Sequence, residues 1–167
     1  ANSLALVTDS ETELIAVQEE LFRISNRTGS SLDSNAETFR RIALAAQDTT
    51  LSTRELLGVT ETLNQLTRIS GATSQEASAG LIQFSQALAS GRFQGDELRS
   101  VLEGLPAVGR ALADGLGVPF TQLRTKLQEL NASGADVSEI LLRALQSQAD
   151  EVERSFSQLG VTFGEVF

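Results

Sequence analysis

The chain has 167 residues, 41% of them hydrophobic, which suits one domain with a buried core and excludes compositional disorder. It carries 13 basic against 22 acidic residues, net −9, too few clustered cations to bind a nucleic-acid backbone or an anionic membrane surface. Cysteine and histidine are both absent, which removes disulfides, thiolate nucleophiles, zinc thiolate sites and the usual general base near neutral pH.

Tryptophan, tyrosine and methionine are missing too, and the opening "ANSLALVTDS" reads as the edge of a piece cut from a longer chain. No apolar stretch of about 20 residues is present to cross a membrane. In chain order, the first signal is Ser10 with Glu13, an S/T-x-x-E capping box in which hydroxyl and carboxylate each satisfy a free backbone N–H. Leu14, Val17, Leu21 and Ile24 then define a helix that stops near Gly29. Ser34 with Glu37 predicts the start of a second helix bearing Phe39, Ile42, Ala43 and Ala46. Ser52 with Glu55 starts a third, where Leu51 packs back on Leu56 as a hydrophobic staple; Val59, Leu63 and Leu66 continue it to Gly71. Thr73 with Glu76 starts a fourth along Ala77, Leu81, Phe84 and Leu88, with Gly91 at its C-terminus.

Beyond Gly91 the segments shorten. Residues 96–103 make two turns carrying Leu98, Val101 and Leu102. Pro106 suits the first turn of a helix with Val108 and Leu112 that stops near Gly115 or Gly117. After Pro119, Leu123, Leu127 and Leu130 align; "NASGAD" reads as a loop. One longer helix is expected from Asp136, with Val137, Ile140, Leu141, Ala144 and Leu145 inward, continuing toward Phe156 and Leu159. The sum is an all-α chain: a compact bundle of about seven to eight short-to-medium helices, folded into antiparallel helical hairpins by short links. Residues 1–160 form one helical domain, and 161–167 are a trailing edge without assignment. Gly58 and Gly80 interrupt helix interiors, as close helix–helix approach at an assembly interface, as ordinary internal packing, or as simple tolerance.

The sequence offers little for chemistry. The acidic groups Glu19/Glu20, Asp96/Glu97 and Asp150/Glu151/Glu153 fall at helix starts or on polar faces, where negative charge complements the helix dipole. Lys126 is the single lysine, and nothing in the sequence brings a serine to it. Arg40, Arg41, Arg92, Arg99, Arg110 and Arg124 read as surface partners of the surplus acids. No catalytic residue, cofactor or metal site is therefore expected.

The stretch "SGRFQGDELRSVLEGLP", residues 90–106, sets Phe93 between Gly91 and Gly95. Those glycines allow backbone angles that would turn the ring inward as a plug. Together with Leu105 and Pro106 they mark a structural or interaction loop. Residues 69–118, "ISGATSQEASAGLIQFSQALASGRFQGDELRSVLEGLPAVGRALADGLGV", resemble the N-terminal domain of tail tape measure proteins of long-tailed bacteriophages and prophages. That family shows a Ser-Gly-Ala turn into a helix ending in a "QALASG" type sequence, then Gly-x-hydrophobic-x-Gly-acidic-acidic. A Leu-x-x-x-x-Pro break and "LADGLGV" follow. The chain agrees at Gly71, 86–91, 95–98, Pro106 and 112–118, and the resemblance spans residues 14–145.

The resemblance implies a structural, non-catalytic virion component that takes part in tail assembly and length determination. The implied partners are other tail proteins (tube, initiator or chaperone) or a second copy, with no nucleic acid and no membrane for this segment. The implied location is the virion tail, reached from the host bacterial cytoplasm. The alternatives are a tail domain associated with peptidoglycan hydrolysis, and a cellular helical adaptor with no phage role.

Overall fold

The computed structural model describes residues 4–8, 10–91 and 101–166, and every regular element among them is helical. A short 3-10 turn (Leu4–Leu6) leads into α1 (Glu11–Thr28). The Ser10 hydroxyl accepts the Glu13 N–H at 3.1 Å, which is the hydroxyl half of the expected box, while the Glu13 carboxylate accepts from the Thr53 hydroxyl at 2.6 Å; Gly29 closes the helix.

α2 (Leu32–Ala45) corrects the sequence reading. Its cap is Ser31, whose hydroxyl accepts the Ser34 N–H at 3.3 Å, so the helix begins well before Ser34. The run Ser30-Ser31-Leu32 offers an equally good capping oxygen directly ahead of the first apolar residue. Glu37 then sits inside the helix, where it pairs with Arg40 at 2.7 Å and Arg41 at 2.8 Å.

The next two starts follow the sequence. At α3 (Thr53–Ile69) the Ser52 N–H donates to Glu55 at 2.9 Å and the Glu55 N–H donates to the Ser52 hydroxyl at 3.1 Å. At α4 (Ser74–Ser90) Thr73 and Glu76 exchange the same pair at 3.2 and 3.1 Å.

Residues 101–104 are helical and are labelled α5; the rest of the expected 96–103 segment lies outside the described residues. α6 (Pro106–Leu116) has proline in its first turn. A 3-10 turn (Phe120–Gln122) precedes α7 (Leu123–Ala132), so Asn131 and Ala132, expected in a loop, are helical and the connection shrinks to 133–136. α8 (Val137–Ser147) and α9 (Ala149–Val166) replace the single expected helix. They part at Gln148, whose N–H bonds the Leu145 carbonyl in a tightened turn. Neither Gly nor Pro marks that break.

One buried cluster joins these elements, from Leu4 through Leu21, Phe39, Leu63, Phe84, Leu112 and Leu141 to Val152. Burying each such side chain contributes about 1.5–3 kcal/mol. α2 packs most extensively on α4, α3 on α9 and α8, and α6 on α8. Two interior glycines permit close approach. A Cβ at Gly115 would lie 2.4 Å from the Ala144 carbonyl oxygen, and one at Gly80 would lie 2.8 Å from a Leu105 methyl. Gly80 thus serves internal packing. Gly58 does not, since a Cβ there meets nothing within 4 Å.

Candidate functional site

The residues expected to form an interaction loop part company in the structure. Gly91 is exposed at the end of α4, with φ of +69° and its N–H on the Leu88 carbonyl. That left-handed backbone is one side chains resist, which is why glycine ends this helix. Leu105 is 2% exposed, and its side chain lies over Gly80. Pro106, next to it, is exposed at the first position of α6. Phe93 and Gly95 lie outside the described residues. Leu105 therefore belongs to the core, while Gly91 and Pro106 stand on the surface.

Several of the carboxylates are held in charge-paired or capping roles. Arg23 bonds Glu20 and Glu61; Arg27 bonds Glu61 and Glu153. Gln65 donates to Glu153 at 2.7 Å, and the Arg27 guanidinium lies 5.5 Å from the Phe156 ring centre. This cluster ties α1, α3 and α9 together. Glu19, Asp150 and Glu151 are exposed; Asp96 and Glu97 lie outside the described residues. Arg110 stands 6.0 Å from the Phe120 ring.

Hydrogen bonding by Arg40 holds the Glu37 carboxyl below its usual range. The Ser52 backbone does the same for Glu55, and the Thr73 side chain for Glu76. All three shifts run downward, opposite to the upward shift that an acid catalyst needs at neutral pH. Among the described residues no cluster of acidic side chains is placed to hold a metal ion, and no helix is long and apolar enough to cross a membrane.

Two surface features stand out among the described residues. On α1, Ile15 is 50% and Phe22 57% exposed. Seven residues apart, they share one face, separate from the inward stripe of Val17, Leu21 and Ile24. Between α1 and α3 runs a groove of about 570 Å³ whose lining includes Ala16, Leu57 and Gly58 together with Glu13, Glu20 and Arg54. The sequence reading missed both features. Ile15 and Phe22 each follow an inward leucine by one position, so plotting α1 around its axis would have separated them.

A family model described as "Tape measure protein" matches residues 1–167. No curated protein and no solved structure matches the chain.

Proposed function

The chain belongs to the tape measure protein family and is a structural component of a phage tail; from that premise we propose that it is the globular head of the tail ruler, not the ruler itself. The observation that carries this reading is that the family match spans all 167 residues while the described helices share one core. Among the described residues the longest helices have 18 residues, about 27 Å each. Drawn out as one helix, 167 residues would span about 250 Å, the geometry a length gauge uses.

The head takes part in tail assembly and length determination by protein–protein contact, without catalysis. Its partners are other tail proteins (tube, initiator or chaperone) or a second copy, met in the host cytoplasm during assembly and retained in the virion tail. The short links are read as antiparallel hairpins within a compact bundle. Residues 1–160 make the domain; of the trailing edge proposed at 161–167, residues 161–166 fall in α9, and Phe167 lies outside the described residues. The face of Ile15 and Phe22 is the contact surface this reading nominates.

Replacing Phe22 with Ser tests that nomination. An exposed ring contributes little to folding, so the helical content and melting point of the variant should match the parent while the yield of assembled tails falls. Normal tails would remove this face as the contact. Clearing of peptidoglycan by the wild-type chain in a zymogram would overturn the non-catalytic reading.

A further inference from the structure

Around the axis of α1 the side chains fall into sectors with different fates. Val17, Leu21 and Ile24 face the core. Glu20, Arg23 and Arg27 occupy a flank, where they pair among themselves and with Glu61 and Glu153. The outer sector includes Glu11, Ile15, Glu19 and Phe22, all exposed. Their spacing of i, i+4, i+8 and i+11 gathers them within about 80° of arc.

This outer face combines apolar anchors with unspent negative charge. Ile15 and Phe22 stand about 10 Å apart along the axis, a stripe that leaves apolar surface in water. Neither Glu11 nor Glu19 enters an ion pair among the described residues, whereas both arginines of α1 are already paired. Glu11 lies in the first turn, where the helix dipole favours a carboxylate. Glu19 lies beyond that turn and has no such role.

We propose that this face receives a partner helix whose apolar stripe is flanked by lysine or arginine. The inference rests on the contact face nominated above and adds the chemistry of what it meets. Burial of Ile15 and Phe22 supplies affinity, and cations opposite Glu11 and Glu19 set orientation and speed encounter. A second copy is the wrong occupant. It would set the same carboxylates against each other, and at net −9 with a single lysine the chain has little to neutralise them. An anionic lipid surface is repelled for the same reason.

Peptide binding to the isotopically labelled 167-residue chain, read by amide shifts, tests this. The probe is an amphipathic helix of about 20 residues with a leucine stripe flanked by lysines; its twin carries glutamates for the lysines. The lysine peptide should shift amides around Ile15, Glu19 and Phe22, bind at least about tenfold tighter than its twin, and weaken in salt. Phe22→Ser should remove those shifts. Glu11→Gln combined with Glu19→Gln should weaken binding about three- to tenfold, the contribution of two exposed ion pairs. All three substitutions are at exposed positions, and unchanged helical content checks that the variants fold. Equal binding of the twins overturns the proposal, as do shifts spread over the acidic surface or unaffected by Phe22→Ser. A dimer in the analytical ultracentrifuge that Phe22→Ser dissolves would make a second copy the occupant and overturn it too. Tail yield judges the face itself and peptide selectivity only the partner's charge, so the two failures are told apart.

Discussion

A methyl group added at Gly115 would meet the Ala144 carbonyl oxygen at 2.4 Å, and a backbone oxygen in α8 cannot swing aside. At Gly58 the same methyl enters open space. The two substitutions should therefore have opposite signs. Gly115→Ala should destabilise by about 1–3 kcal/mol through overpacking, and Gly58→Ala should stabilise by about 0.5–1 kcal/mol through helix propensity. Urea denaturation of both variants checks this, and equal effects would refute the assigned packing. Leu105→Ala should cost about 2–5 kcal/mol by the same measurement, because the side chain fills the space over Gly80. At this scale the sequence was legible where a residue answers to its own neighbours. Ser52, Thr73 and Gly91 did what their spacing implied, since each cap is completed within a few residues. The roles of Gly115 and Gly58 depend on what lies opposite in space, and no local pattern announces that.

The helices are held at their starts by charge as well as by packing. Hydrogen bonds at the caps of α3 and α4 keep Glu55 and Glu76 below the ordinary carboxylate value of 4.5, as Arg40 does for Glu37 within α2. A carboxylate depressed in the folded state adds stability that is full above its unfolded pKa and is lost as pH falls through the folded one. The urea midpoint should thus be flat down to about pH 4.5 and fall below it, with Glu55→Gln showing a shallower fall. A midpoint that rose on acidification would contradict the cap assignments. α9 is attached differently. Among its described residues only Val152 is buried; Glu153 and Phe156 reach Arg27 at the surface, and Glu153 also accepts from the buried Gln65. Exposed ion pairs contribute about 0–1 kcal/mol and weaken in salt. Hydrogen exchange should therefore show α9 opening before α3, and more so in Arg27→Ala; α9 amides protected as long as those of α3 would refute this. The break at Gln148 that frees α9 from α8 was not legible, because the apolar spacing runs through it. The early start of α2 was missed for a related reason, serines at 30, 31 and 34 offering rival caps.

For the molecule as a whole, the all-helical class followed from the spacing of leucines, and the family followed from an ordered series of short motifs across residues 14–145. The exposed apolar face proposed for contact was not legible, because Ile15 and Phe22 look like two more apolar residues of a helix until neighbours cover one face and leave the other. The central claim is that this segment is read as a folded body and contributes no length. Electron microscopy of phage whose tape measure protein carries these 167 residues twice in tandem tests it most directly. Unchanged tail length is the predicted result; tails longer by about 250 Å, the span of the duplicated segment as helix, would contradict it.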